Sequence, residues 1–477
     1  MNSQHIFDGI TDIRDDLIDG AGEAPKRQKR RIKTRWLGAV AAVLAVAIIA
    51  GVFLRPGGGL TAHAIAEAEY PQMAPYPGGP HTEAAYSAWW EDIAAQRRDL
   101  GDTSSLRSFF ARSARTFLAG DEGQNRVYSP LNVYMALSML AQLTDGESRE
   151  QILALLGSES IDALRRQAGD VWNANYRDDG ALTSVLAGSL WLNQNVKFNQ
   201  NTMDILARDY YASSYRGEMG SKGFNKALQD WLNEQTGGLL EEQAGNIELD
   251  RDTILALAAT VYFKARWRAE FYEENTAPGI FHAPGGDVEA DFMHQRQSQA
   301  YYWGSKFAAV SQPFEAGNGA MLFLLPDEGV TPEELLSDRE AMDFLFVENK
   351  YEWENRKTLF VNKSIPKFDV SSQFDLTEGL QALGVTDIFD PALSDFTPMT
   401  ADVNGPITVS QASHAARVVI DEEGCTAAAF TVIPAAGNDR PPDDEVDFVL
   451  DRPFIFCITG DSGLPLFVGI VNYPGGK

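Results

Sequence analysis

Three features of this chain predict an α+β domain with large, mainly antiparallel sheets. Helical periodicity is concentrated early, in the stretch from 103 to 156. Continuous apolar runs with strand character dominate later, at Leu182 to Leu192, Ile254 to Phe263 and beyond 320. Near the C-terminus, residues 421–447 form an exposed stretch between two segments that must be buried. No internal repeat is present.

Taken in order, residues 1–25 carry Ile6, Ile10, Ile13 and Leu17 at helical spacing, a short amphipathic helix too small to be a domain. Residues 1–35 end in a basic block (Lys26, Arg27, Lys29, Arg30, Arg31, Lys33, Arg35). Trp36 to Leu54 is uncharged and almost wholly apolar. At 1.5 Å per residue a helix of this length covers about 28 Å, the hydrocarbon thickness of a bilayer. After Arg55 no Lys or Arg occurs until Arg97, so the positive-inside rule puts the N-terminus in the cytoplasm and the rest outside. A single-pass signal anchor at 36–54 is the expectation. The alternative is a cleaved, secreted chain with Ala62-His63-Ala64 as the cleavage site, against which the length of the apolar run counts. Residues 55–100, with Pro56-Gly-Gly-Gly59 and four further prolines (71, 75, 77 and 80), read as a flexible spacer whose Trp89 and Trp90 touch the domain.

The globular domain is expected over 101–477. Leu106, Phe109, Phe110 and Phe117 make one helical face, with Ser104 as cap and Gly120 as stop. Ser129-Pro130 suits an N-cap and first turn, and the helix to Leu140 is apolar nearly all round, which predicts burial. Leu182 to Leu192 and Ile254 to Phe263 read as central strands without a wet face. Leu376 to Leu383, before Gly384, reads as a late helix.

In Asp421-Glu-Glu-Gly-Cys-Thr-Ala-Ala-Ala-Phe430 two carboxylates and a glycine precede very small residues. Thr431, Val432 and Ile433 favour extended chain, while Pro434, Gly437, Pro441 and Pro442 break regular structure. Asp443, Asp444 and Glu445 keep the segment in water, after which Phe454-Ile-Phe-Cys-Ile458 and Pro465-Leu-Phe-Val-Gly-Ile-Val471 must be buried.

This arrangement resembles the serpins, the serine-protease-inhibitor family. The resemblance is carried by Val418-Val-Ile-Asp-Glu-Glu-Gly424, Thr426-Ala-Ala-Ala429, Asp451-Arg-Pro-Phe-Ile-Phe456 and Pro465-Leu-Phe-Val-Gly469. Further matches are Ser129-Pro130, Lys264-Ala-Arg-Trp267, Met321-Leu-Phe-Leu-Leu-Pro-Asp-Glu328 and Lys363-Ser-Ile-Pro-Lys-Phe368. It implies a suicide inhibitor, not an enzyme, whose cleaved reactive loop (about 421–447) inserts into the main sheet and traps the protease as an acyl-enzyme. It implies a hinge at Glu422, Glu423, Gly424, Cys425, Thr426, Ala427, Ala428 and Ala429. It also implies a shutter at Ser129 and His414, and Trp267 at the top of the main sheet. The asparagine that relatives place beside that histidine aligns with Ala259 here, so the shutter hydrogen bond must be rearranged. Counting about sixteen residues from Glu422 gives Asn438–Asp439 as the nominal scissile bond. Ala435, Ala436 and Gly437 offer earlier bonds that an elastase-like protease would accept, whereas Arg440 is followed by Pro441. The alternative is a non-inhibitory serpin-fold binding or scaffold protein at the cell surface.

Other chemistries are excluded by pattern. The net charge of −27 argues against nucleic acid, heparin-like polyanions and anionic lipid as partners of the domain. Of that charge, the first 35 residues hold 8 basic and 6 acidic groups, leaving 32 and 61, or −29, beyond. Histidines at 5, 63, 81, 282, 294 and 414 form no i,i+4 pair, so no metal is expected. Gly317-Asn-Gly319 lacks the context of a nucleotide loop, and no cofactor is expected. Gly460-Asp-Ser-Gly463 resembles a serine-protease motif but, between apolar strands, reads as a hairpin turn. Cys425 and Cys457 give no disulfide framework, and the chain is read as a monomer whose partner is its target protease.

Overall fold

The computed structural model describes residues 62–77, 82–120, 123–315, 317–347, 350–403, 405–425 and 444–475. The apolar stretch Trp36–Leu54, the basic block and the loop residues Thr426 to Asp443 lie outside them. Among the described residues no helix is long and apolar enough to cross a membrane.

Two large sheets carry the domain. The main sheet has eight strands, in the order Ala62–Ala66, Ala212–Gly217, Leu182–Asn193, Leu255–Arg266, Gly424–Cys425, Ser413–Ile420 and Phe368–Asp375, with Arg177–Asp178 beside Leu182–Asn193. The second has nine, running from Glu445–Val449 through Arg356–Pro366 and Gly286–Trp303 to Phe454–Thr459, Pro465–Val471 and Arg126–Tyr128. Pairing is antiparallel except for Leu182–Asn193 with Ala212–Gly217 and Arg356–Pro366 with Glu445–Val449.

Leu182–Asn193 and Leu255–Arg266 lie in the middle of the main sheet, paired from Leu182↔Ala265 to Leu192↔Leu255. The first is buried along nearly its whole length, as its apolar run predicts. The second is only half-buried over most of its length, contrary to expectation. Among the described residues its far side is covered by a paired strand only at Ala265 and Arg266, where Gly424–Cys425 sits.

The helix Pro130–Leu143 is buried on nearly every side because both sheets press on it: it packs against Leu255–Arg266 and Pro465–Val471. Ser129 caps it, its hydroxyl accepting from the Asn132 N–H at 3.3 Å. The helix Ser104–Leu118 buries Leu106, Phe109, Phe110 and Phe117 as the periodicity requires. Its cap position is Thr103 rather than Ser104, and it ends at Leu118 just before Gly120. The late helix spans Thr377–Ala382.

The flexible spacer read over 55–100 needs correction. From Ala62 the chain is an edge strand of the main sheet, and Glu83–Gln96 is a helix whose Thr82 side chain accepts from the Ala85 N–H at 3.2 Å. Trp89 and Ile93 are buried. The Arg177 guanidinium lies 5.0 Å over the Trp89 ring and bonds to Asp179 and Asp461, each at 2.6 Å. Arg97 reaches the same Asp461 at 3.2 Å. Prolines 71, 75 and 77 fall in irregular chain, where the composition pointed, but the alanine-rich flanks acquire structure by docking.

Trp89→Ala tests this directly. Loss of a buried indole costs about 3–5 kcal/mol, whereas a ring on a flexible spacer would cost less than about 0.5 kcal/mol. The thermal midpoint of the full chain should fall by about 5 °C or more, measured by scanning calorimetry.

Candidate functional site

The hinge is built where Ser413–Ile420 runs out. That strand pairs over its whole length with Phe368–Asp375, and the chain then reverses at Asp421. The Asp421 carboxylate accepts from the N–H groups of Glu423 (3.0 Å) and Gly424 (3.1 Å), an aspartate turn that the short side chain makes without strain. Gly424 and Cys425 enter the main sheet and pair on both sides: Cys425 with Ile420, and Gly424 and Cys425 with Arg266 and Ala265. Only glycine fits at 424, because a Cβ there would lie 2.2 Å from the Ala265 carbonyl oxygen and 2.8 Å from the Arg266 Cα.

Both ends of the turn are clasped. The Trp267 N–H donates to the Glu423 carbonyl at 3.0 Å, and its indole N–H donates to the Asp421 carbonyl at 2.9 Å. The indole itself is buried and stacked on Phe314, centroids 5.1 Å apart. Glu422 is buried, accepting from the Lys367 ammonium at 2.6 Å and the Thr276 hydroxyl at 2.8 Å, while its carbonyl takes the Phe271 N–H at 3.0 Å. Burial pushes the Glu422 carboxyl up, but the bonds from Lys367 and Thr276 outweigh it and hold the group below the usual carboxylate range. Lys367 moves up in turn, chiefly through its hydrogen bond to Glu422.

Cys425 lies on the core side with Ala265 and Ile420, and burial pushes its thiol up to about 12, so it is no nucleophile. Below it, among the described residues, Leu255–Lys264 and Ser413–Val419 have no pairing with each other. Gly424–Cys425 is the strand that lies between them where all three pair, which makes the two strands the walls of a slot. The remaining hinge residues, Thr426, Ala427, Ala428 and Ala429, and the bond candidates Ala435, Ala436, Gly437, Asn438 and Asp439, lie outside the described residues.

At the foot of the slot the structure brings Ser129 and His414 together. The Ser129 N–H donates to His414 Nε2 at 3.1 Å, so the ring proton belongs on Nδ1, and the Ser129 hydroxyl donates to the Leu466 carbonyl at 2.6 Å. Tyr128 and Phe374 enclose the imidazole, each with centroids 5.4 Å away, and burial lowers its pKa to about 4. Ala259 contributes its carbonyl, which accepts from Asn132 Nδ2 at 3.1 Å, and the neighbouring buried Thr260 hydroxyl has no partner among the described residues. Backbone therefore replaces the side-chain partner that Ala259 cannot supply.

Beyond the loop, Asp444 and Glu445 are not free acids. Glu445 pairs with Arg296 at 3.1 Å and accepts from Asn362 at 2.8 Å, and Asp444 pairs with Lys357. The acidic stretch Asp443 to Glu445 is thus, in its described part, internally balanced. The Gly460–Gly463 motif is the hairpin turn expected: Ser462 donates to Asn175 at 2.6 Å, Asp461 holds Arg177, and His63 lies in the edge strand opposite Arg216. Among the described residues no cluster of histidine, cysteine or carboxylates could hold a metal ion.

Sequence reasoning missed Lys367, Thr276, Phe271 and the Asp421 turn. Lys367 sits inside a stretch already matched on pattern, but its pairing with Glu422 spans 55 positions (422 − 367) and leaves no local signal.

The model of the serpin (serine protease inhibitor) family matches residues 104–474. The chain belongs to the serpin family. It is similar to Serpin-ZX of Arabidopsis thaliana, 29% identical over 74% of this chain and 93% of the relative. It is also similar to Alpha-1-antiproteinase of Rattus norvegicus, 28% identical over 78% of this chain and 89% of the relative. Among solved structures, Arabidopsis AtSerpin1 in its native stressed conformation aligns with a TM-score of 0.68 at 26% identity, covering 79% of this chain and 99% of that one. A thyroxine-binding globulin complex with thyroxine aligns at 0.66 and 21% identity over 78% and 99%, a likeness of fold alone. The serpin match begins at 104, so the ordered strand and helix before it are outside the matched region.

His414 sets a pH dependence with a definite sign. Its folded pKa of about 4 lies below the ordinary value near 6.5, so its contribution is present above 6.5 and is lost as pH falls toward 4, on the order of 3 kcal/mol in full. His414→Gln keeps an acceptor for Ser129, and its thermal midpoint should fall distinctly less than the parent's between pH 7 and 5. Parallel declines would exclude the imidazole as the cause.

Proposed function

We propose that this serpin is a suicide inhibitor of serine proteases, held at the outer face of a cell membrane by Trp36–Leu54. The observation that carries the reading is the hinge: Gly424 and Cys425 already occupy the top of a slot whose remaining walls are unpaired with each other. Continuing that antiparallel register brings Ala427 opposite Phe263 and Val418, Ala429 opposite Val261 and Ala416, and Thr431 opposite Ala259 and His414. Each residue of the incoming inner face is small and uncharged, which is what entry between buried walls requires. Phe430 falls on the opposite face.

The chemistry is that of a serine protease interrupted. The protease serine attacks the carbonyl of the bait residue, the peptide C–N bond breaks, and the new amine leaves with a proton from the protease histidine. The freed hinge then pairs with both walls of the slot before water can attack the ester, and the protease is carried along with it. Inhibition is therefore under kinetic control. Asn438–Asp439 is the nominal bond, and the apolar lead-in Val432-Ile-Pro-Ala-Ala436 favours an elastase-like protease. With Asp444 and Glu445 already paired, charge steering by this rim is weak.

Incubation with a panel of serine proteases should give an SDS-stable complex, whose released fragment locates the bond by mass spectrometry. Ala427→Arg or Cys425→Arg should turn the inhibitor into a substrate: cleavage continues, and complex yield falls at least tenfold. Arginine variants that trap as efficiently as the parent would refute insertion. A parent that neither traps nor gains thermal stability on loop cleavage would be a binding or scaffold serpin.

A further inference from the structure

The segment Ala62–Ala66 closes one edge of the main sheet. It pairs antiparallel with Ala212–Gly217, as Ala62↔Gly217, His63↔Arg216, Ala64↔Tyr215 and Ala66↔Ser214, with one irregularity between Ala64 and Ala66. The contact is more than a ladder. Gln200 Nε2 donates to the Ile65 carbonyl at 3.2 Å, and the Ala68 N–H donates to the Ser213 hydroxyl at 3.1 Å. Tyr70 then packs on Trp172, centroids 5.3 Å apart. Without this strand Ala212–Gly217 would end the main sheet with an open edge, the kind of edge that recruits foreign strands.

The small-residue motif Ala62-His63-Ala64, the one candidate for removal of the apolar leader, occupies the first three positions of that strand. A cut after Ala64 would take away three of its four paired positions and uncover most of the edge they close. We infer that Ala62–Ala64 is retained in the mature protein as the edge strand of the main sheet, so that the leader is an uncleaved anchor and the inhibitor meets its proteases at the membrane that carries it. This rests on the membrane-tethered reading above. On this inference only residues 55–61 separate the apolar run from the edge strand in the sequence, and a tether of that length would keep the inhibitor at the membrane that carries it. The proteases it fits are those attached to, or secreted across, the same surface.

The test uses the full-length chain expressed in membranes. Intact mass and N-terminal sequencing should show residues 1–64 present in the membrane fraction. Hydrogen exchange of the chain in nanodiscs should show 62–66 and 212–217 exchanging at least tenfold more slowly than free peptide. In Ala62→Asp/Ala64→Asp, exchange at 212–217 should accelerate at least tenfold while Phe454–Thr459 stays protected. A mature chain beginning at Ile65 overturns the inference, and if that chain still forms SDS-stable complexes the inhibitor reading survives without it. A retained leader with 62–66 exchanging as free peptide also overturns the edge strand, leaving the tether alone.

Discussion

Two residues wedged between strands govern this molecule. Gly424 and Cys425 pair with Arg266 and Ala265 on one side and Ile420 on the other, so the two strands flank the start of the loop where it enters the main sheet. Everything nearby serves that wedge. Trp267 clasps the turn that leads into it, Lys367 and Thr276 neutralise and satisfy Glu422 beneath it, and Gly424 is the one residue type that the Ala265 carbonyl tolerates. A buried ion pair of this kind is weak evidence for stability, since desolvation offsets its Coulomb energy. Its clearer effect is to fix where the loop starts.

Below the wedge the described parts of the same strands share no ladder, and Leu255–Arg266 is half-buried over most of its length. At the other end of these strands one residue makes three of the bonds. Ser129 caps the central helix, bonds His414 through its N–H and reaches Leu466 through its hydroxyl. One residue thus joins the central helix, the second sheet and the slot wall. The imidazole is served by backbone, through the Ser129 N–H.

The N-terminal segment shows a second use of the same physics. A sheet must end somewhere, and an open end is a liability; here Ala62–Ala66 supplies the closing strand. The polar hub of Arg97, Arg177, Asp179 and Asp461 then pins the helix Glu83–Gln96 to the turn at 460–463. A motif that imitates a catalytic serine is in fact part of this joint.

Local pattern determined much of this protein. The Ser129-Pro130 helix start, the central strands Leu182–Asn193 and Leu255–Arg266, the Gly460–Gly463 turn and the hinge at Glu422–Cys425 can each be read from neighbours in the chain. Periodicity and turn chemistry act over a few residues, and so does the eye that reads them. Tertiary structure alone decided the rest. Lys367 finds Glu422 across 55 positions, His414 finds Ser129 across 285, and Ala62–Ala66 becomes a strand only because Ala212–Gly217 offers it an edge. An alanine-rich segment has too little intrinsic preference to announce its fate, and a buried imidazole is defined by whatever surrounds it. Such residues take their structure and their chemistry from partners that only the folded chain brings within reach.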